Sequence, residues 1–159
     1  MPTTSNRKRT QTIESVVQAL RHFIVGVILY NQRVAEQVGV HSTDLQCLHV
    51  LVLLGPVTPG TLAECTGLTT GGITVVLDRL EKAGYTRRER NPADRRSVLI
   101  YLQPEKLQEL GPYYDAITKE MNTHLTGFSE RELETVLEFF SKMNSIRGDQ
   151  TKFKDAKNL

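Results

Sequence analysis

The apolar residues of this chain recur mostly three and four positions apart, which is the spacing of an amphipathic helix. The first such stretch follows a polar tail of ten residues and runs from about Thr12 to Val38. Around residues 23–29 it is apolar on nearly every side, a pattern that a surface helix of a monomer does not carry. We therefore expect this helix to be buried, either by the rest of the domain or by a second copy of the chain.

Two shorter helices follow, and residues that start or stop helices bound each of them. Residues 41–44 offer capping side chains for a helix that stops at Gly55–Pro56. The next helix opens at Thr58–Pro59, with threonine as the cap and proline at the first helical position, and ends at Thr66–Gly67. A tight glycine turn is thus expected before the chain becomes helical again.

The fourth helix has one clearly apolar face. Thr69 is its expected N-cap, and Ala83–Gly84 is its expected stop. The predicted core stripe consists of Ile73, Val76, Leu77 and Leu80.

After this helix the pattern changes from helical to strand-like. Residues 85–90 and 97–102 flank NPADRR, whose Asn-Pro-Ala-Asp suits a turn with proline at its second position, so we expect a β-hairpin. Two helices close the chain, at about 105–127 and 129–147, the former with a kink near Gly111–Pro112. SERE at the start of the latter is a capping box, in which serine bonds the N–H three residues on and the glutamate reaches back. The pattern predicts a mainly α chain with one small β-hairpin.

Composition favours one soluble domain over residues 1–159, because 39% hydrophobic and 24% charged residues are ordinary for a chain of this length. The apolar run at 23–29 is far shorter than the roughly 18 to 20 residues that span a bilayer, so no membrane span is expected. Two cysteines outside any CxxC pattern, without a secretory signal before them, indicate a reducing, cytoplasmic compartment. No nucleotide-binding, phosphate-loop, metalloprotease or nucleophile-elbow motif occurs, and an enzyme is not expected.

The net charge of +2 conceals an uneven distribution. Residues 79–96 hold seven basic residues against three acids, whereas residues 129–140 hold four glutamates against one arginine. This asymmetry favours one face for a polyanion and another kept away from it.

The spacing around the glycine turn is that of a helix-turn-helix. Such a motif needs a small residue where its helices cross, a glycine four positions later and a buried aliphatic residue six positions after that. Ala63, Gly67 and Ile73 occupy those positions. Followed directly by an arginine-rich hairpin, they outline a winged helix-turn-helix.

Residues 58–102 resemble the multiple-antibiotic-resistance (MarR) family of transcriptional regulators, above all in LDRLEKAGY and in DRRSVLI of the wing. The resemblance implies a homodimer in which the helices at 12–38 and 105–147 of both subunits intertwine. Two winged lobes, residues 42–102, would then reach a pseudo-palindromic site on double-stranded DNA. Many members are repressors that a small phenolic or lipophilic ligand, or cysteine oxidation, releases from DNA.

The exposed start of the fourth helix is the predicted base-reading surface. Helix N-termini favour phosphates and base-edge acceptors, and threonine offers a hydroxyl and a methyl group to the major groove. No Arg, Asn or Gln lies in this first turn, so we expect modest direct readout, with Arg79 and Lys82 mainly holding phosphates. The predicted surface comprises Thr69, Thr70, Gly71, Gly72, Thr74 and Val75.

The hairpin tip is slim enough to enter the minor groove, where an inserted arginine reads the shape of the groove and its A·T content. By likeness to the family's wing motif, Asp94 helps to hold Arg96, which enters the groove. Arg90 and Arg95 are the expected phosphate neighbours. We expect the change Arg96→Ala to weaken binding more than Arg88→Ala.

The family's ligand pocket implies four candidate ligand-binding residues, His22, Tyr30, Arg33 and His49, each of which also has a structural interpretation. Redox-sensing members carry their cysteine near the start of the first long helix, where this chain has none, so Cys47 is expected to be a buried, inert thiol. Cys47 and His49 are two positions apart and point to different faces of a helix. We expect no metal and no cofactor.

These observations together predict a homodimeric, ligand-responsive repressor. Two alternatives stay open. One is a winged-helix dimerisation module without DNA binding, which would have no need of a basic wing. The other is an effector-free architectural DNA-binding protein, which would show little sequence specificity.

Overall fold

The structure, a computed structural model, describes residues 4–146, which form seven α-helices, one 3-10 helix and two strands. The predicted fold class, mainly α with a small β-wing, is confirmed. The elements are α1 (Thr4–Val38), α2 (Ser42–Leu54), α3 (Pro59–Thr66), α4 (Thr70–Lys82), β1 (Thr86–Arg90), β2 (Val98–Leu102), α5 (Pro104–Leu107), a 3-10 helix (Gln108–Leu110), α6 (Gly111–Leu125) and α7 (Glu130–Ile146).

Helix α1 belongs to a first compact unit that ends at Ser42, and the described residues from Thr43 onward belong to a second unit. The helix begins eight residues earlier than predicted, so the expected polar tail is helical from Thr4. Hydroxyl groups there donate to carbonyls one turn back, as Thr10 does to Asn6 over 3.0 Å, and such local bonds let polar residues continue a helix. By length and hydropathy, α1 is also the one helix among the described residues that could cross a membrane.

Most of the apolar surface of α1 is uncovered in the single chain. Val34 and Ala35 are buried, but Ile28 is 60% exposed. The other exposed apolar residues of the helix are Ile13, Val16, Val17, Phe23, Ile24, Val25, Val27 and Leu29. Within its own unit, α1 therefore leaves residues 23–29 uncovered.

The helix-turn-helix forms as its capping residues predict. The Thr58 hydroxyl accepts the Thr61 N–H over 3.2 Å, and Pro59 occupies the first turn of α3. Gly67 ends this helix with φ 72°, a left-handed conformation that L side chains rarely adopt. The chain then enters α4, where the Thr69 hydroxyl accepts the Gly72 N–H over 3.1 Å.

One hydrophobic core holds this lobe together. Helix α3 packs on α4, α4 contacts β1, and α3 contacts β2. All four residues of the predicted α4 stripe are at most 3% exposed. The other buried apolar residues from α2 to β2 are Leu45, Cys47, Leu48, Val50, Leu51, Leu62, Tyr85 and Ile100.

The hairpin pairs β1 with β2 in antiparallel register, with Arg88 opposite Ile100. The Ile100 N–H points away from β1 and donates to the Val57 carbonyl over 2.9 Å. The segment before α3 thereby anchors the outer edge of β2.

The C-terminal helices follow the predicted pattern with one correction. The expected kink near Gly111–Pro112 is the 3-10 helix between α5 and α6. The capping box of α7 is half formed: Glu132 accepts the Ser129 N–H over 2.8 Å, but the Ser129 hydroxyl donates to the same carboxylate instead of accepting an N–H. These bonds lower the pKa of Glu132. Residue 147, the predicted helix end, lies outside the described residues.

The turn glycine gives a test of this fold. We expect Gly67→Ala to destabilise the protein by about 1 kcal/mol or more, because a side chain is strained at positive φ although its Cβ would meet open space. Gly71→Ala is the matched control, since its Cβ also meets nothing within 4 Å but its backbone is helical. Thermal unfolding should show a lower Tm for the first variant and an unchanged or higher Tm for the second. Equal shifts would contradict the turn.

Candidate nucleic-acid interface

The start of α4 presents the predicted small residues to solvent. Thr70, Gly71 and Thr74 are exposed, and Val75 is 54% exposed. Their neighbours Ile73 and Val76 are buried. The Thr74 hydroxyl donates to the Thr70 carbonyl over 2.9 Å, so its oxygen can still accept a hydrogen bond, and the side chain is exposed. This surface therefore offers acceptors and methyl groups, which suit base edges and the thymine methyl of a major groove.

The glycine pair at the start of α4 divides by role. A Cβ on Gly72 would lie 3.2 Å from the Thr69 capping oxygen, a tight contact that the cap would have to shift to accommodate. A Cβ on Gly71 would meet nothing within 4 Å. Packing thus explains Gly72, whereas the small size of Gly71 serves no contact within the described part of the lobe.

The turn of the wing is held by its own side chains. The Asn91 amide oxygen accepts the Ala93 N–H over 3.0 Å, and its amide nitrogen donates to the Ser97 hydroxyl over 2.9 Å. The Asp94 carboxylate accepts the backbone N–H of Arg96 over 3.0 Å. Asp94 therefore positions Arg96 through its backbone, and the Arg96 guanidinium stays directed to solvent.

The basic residues of the lobe fall into two sets. Three arginines are held by carboxylates: Arg79 by Asp44, Arg87 by Glu89 over 2.6 Å, and Arg88 by both Asp78 and Glu81. The other set is exposed and makes no side-chain hydrogen bond or ion pair with any residue in the described range. It consists of Lys82, Arg90, Arg95 and Arg96.

Arg79 ties α4 to α2. Its guanidinium donates to both oxygens of Asp44, the Nε bond being 3.0 Å long, and Asp44 is only 2% exposed. A buried carboxylate needs such a partner, because an unpaired buried charge is strongly unfavourable. The bond to Asp44 raises the pKa of Arg79. A phosphate contact by Arg79 stays a prediction that this pairing does not support.

Sequence reasoning missed Asp44, Asp78 and Glu81 as the carboxylates that hold Arg79 and Arg88. Asp44 is 35 positions from Arg79, so no local spacing reveals the pair. Asp78 and Glu81 do carry a signal, because residues three apart share a helix face and can receive one arginine together.

The cysteines show no reactive environment. Burial and the nearby Asp44 raise the pKa of Cys47 to about 12, so its thiol is protonated at neutral pH. Burial also raises the pKa of Cys65, which is half-buried. Within residues 4–146, no group of three metal-ligating side chains comes together.

The four candidate ligand residues differ in exposure. On α1, His22 and Arg33 are exposed and Tyr30 is half-buried. His49 of α2 is half-buried, and its ring meets that of Tyr114 edge to face at 5.2 Å between centroids.

Comparison with known proteins identifies the family of this chain. The MarR family model matches residues 38–97. The HTH-type transcriptional regulator YcgE of Bacillus subtilis is 32% identical over 146 residues, which cover 92% of this chain and 95% of that protein. The chain belongs to the MarR family.

Solved structures of MarR proteins share the fold at low sequence identity. A MarR family regulator from Silicibacter pomeroyi is 20% identical, with a TM-score of 0.65 over 87% of this chain and 94% of that one. Wild-type MarR of E. coli in its apo form is 20% identical, with a TM-score of 0.56 over 79% of this chain and 94% of that one. As a MarR-family member, the protein is a DNA-binding transcriptional regulator with a winged-helix lobe, from a family generally without enzymatic activity.

His49 gives a test of the α2 environment in this MarR-family lobe. Burial lowers the pKa of His49 below 6.5, so the unfolded chain binds a proton more readily than the folded chain. The free energy of unfolding should therefore be fully retained above about pH 6.5 and decline as pH falls below it. We expect His49→Gln to lose less Tm than the unmodified protein between about pH 7.5 and pH 5.5. His124→Gln, which changes a side chain 77% exposed, should leave the decline unchanged, and parallel curves for all three proteins would contradict the assignment.

Proposed function

We propose that this protein is a cytoplasmic, homodimeric repressor that binds a pseudo-palindromic operator and is released by a small ligand. The observation that carries the DNA-binding mode is the coexistence, on one lobe, of an exposed helix start with four basic side chains that lack an intramolecular partner within the described residues. A lobe that served only to dimerise would have no use for uncompensated charge at its wing. This favours DNA binding over the dimerisation-module alternative.

In the proposed complex, the start of α4 enters the major groove and the wing enters the minor groove. Thr70, Gly71, Thr74 and Val75 would meet base edges, with Thr69 capping the helix behind them. Arg96 would enter the minor groove from the tip that Asp94 shapes. Lys82, Arg90 and Arg95 would hold phosphates. Arg79 could contact a phosphate only if its ion pair with Asp44 breaks.

Dimerisation is supported by apolar surface that the single chain leaves exposed. Helix α1 exposes the residues named above, and α7 exposes Leu137, Phe139 and Phe140. Contiguous apolar patches of this kind mark protein interfaces. A second copy that covers α1 would also account for its hydropathy without a membrane.

Ligand control would act by changing the distance between two recognition helices, which must meet half-sites about one DNA turn apart. The candidate residues are His22, Tyr30, Arg33 and His49. The proposed effector is a small phenolic or lipophilic molecule, as the resemblance to other MarR-family repressors suggests. An architectural DNA-binding protein would respond to no ligand.

Selection of bound sequences from a random DNA pool tests the function directly. At about 150 mM salt, non-specific phosphate contacts are weakened, so specific sites should dominate the recovered pool. We expect an inverted repeat with half-sites about 10 base pairs apart. Failure to enrich any sequence would contradict the proposal. Enrichment of a single half-site without its inverted copy, or of any A·T-rich sequence, would favour the architectural alternative.

Arg96 should contribute to both affinity and its salt dependence. If each subunit neutralises about three to five phosphates, the dimer should show a log–log salt slope on the order of −6 to −9. We expect Arg96→Ala to weaken binding about tenfold or more, since charge-assisted contacts contribute roughly 1.5–3 kcal/mol each. The measurement is a salt titration of operator binding.

Arg131→Ala is the control for this titration, because it removes the same charge from an exposed position on α7. It should change neither the affinity nor the slope. The loss at Arg96 should also exceed the loss for Arg88→Ala. Equal losses of affinity at Arg88 and Arg96, with equal decreases in the magnitude of the salt slope, would mean that the wing is only a diffuse charge patch.

A further inference from the structure

The wing is attached to the rest of the lobe along both outer edges of its hairpin. Because Ile100 directs its N–H to Val57, the Arg88–Ile100 pair is a non-hydrogen-bonded pair of the ladder, and the Arg88 N–H also points outward. That N–H donates to the Glu81 carboxylate over 3.1 Å. Val57 thus anchors β2, whereas a side chain of α4 anchors β1.

The Arg88 side chain strengthens the second attachment. Its guanidinium donates to Asp78 over 2.6 Å and to Glu81, and the side chain is 30% exposed. Asp78 and Glu81 are three positions apart and so share one face of α4. Arg88 therefore joins the middle of β1 to the second half of the recognition helix through two side-chain contacts and one backbone contact.

We propose that Arg88 is a positioning residue, which contacts no DNA and fixes the angle between the wing and the recognition helix through Asp78 and Glu81. This inference rests on the proposed DNA-binding mode. In this arrangement α4 and the wing enter their two grooves as one rigid body. DNA affinity therefore depends on the contacts between α4 and the wing.

The two acids make this proposal testable by the sign of an effect. Asp78 and Glu81 are 62% and 40% exposed on a helix that approaches a polyanion. On charge alone, their removal should tighten DNA binding and free Arg88 for a phosphate. If they hold the wing, their removal should weaken binding instead.

The experiment compares Asp78→Ala/Glu81→Ala with a matched pair, Glu130→Ala/Glu134→Ala, which removes two exposed carboxylates from α7. We expect the first pair of changes to weaken operator binding about fivefold to tenfold, because it removes two partly exposed ion pairs that hold the wing in position. The control pair should leave operator binding unchanged. Tighter binding by the first pair would overturn the inference. Should the truncated pair fail to fold, as judged by Tm, Asp78→Asn/Glu81→Gln keeps the shape and makes the same comparison.

Arg88→Ala in the otherwise unmodified protein separates positioning from contact, because Asp78 and Glu81 still hold Arg88 there. Loss of a positioning residue should weaken operator binding and leave the salt slope unchanged. A phosphate contact would lower the magnitude of the slope by about 1 per subunit and would overturn the inference.

Hydrogen exchange provides a readout that needs no DNA. Glu81→Ala should accelerate exchange of the Arg88 amide, since that N–H loses its acceptor, while the Ile100 amide bound to Val57 stays protected. Unchanged exchange at Arg88 would count against the anchor itself. Absence of operator binding by the unmodified protein would count against the proposed function, so the two failures are distinguishable.

Discussion

The winged lobe depends on the burial of one face of α4. Ile73, Val76, Leu77 and Leu80 are at most 3% exposed, and each buried aliphatic side chain contributes about 1.5–3 kcal/mol as an upper bound. Rotation of this helix by one residue would bring Thr74 inward and expose part of that stripe. The core therefore determines which side chains of α4 face outward, before any partner is present.

Ion pairs then decide which cations the lobe can offer. The segment from Arg79 to Arg96 carries seven basic residues, but carboxylates hold Arg79, Arg87 and Arg88 inside the lobe. Arg79 joins α4 to α2 and Arg88 joins the hairpin to α4, whereas Arg87 pairs with Glu89 within β1. The cations that remain lie at the end of α4, the end of β1 and the wing tip, so the positive potential is concentrated where the proposed minor-groove contact occurs.

Features set by neighbouring residues could be predicted from the sequence, and features set by distant ones could not. The caps at Thr58 and Thr69 and the left-handed Gly67 each depend on residues within four positions, and each is confirmed. The Asp44–Arg79 pair joins two helices, so no periodicity reveals it. The early start of α1 was missed because its polar first turns carry no apolar stripe. The DNA-contacting roles of the exposed side chains are left as proposals, since exposure alone does not specify a ligand.

The same reasoning connects the exposed helix α1 to the proposed operator. A single lobe with four available cations neutralises few phosphates, and its weak base-reading chemistry adds little discrimination. Two lobes joined by a symmetric interface double the number of contacts and add a fixed distance between them, which a two-fold repeat in DNA can match. Exposed apolar surface on α1 is unfavourable in a single chain. When a second copy covers that surface, the resulting interface fixes the distance between the two lobes. In the proposed repressor, specificity therefore comes as much from the geometry of the dimer as from the side chains that touch bases.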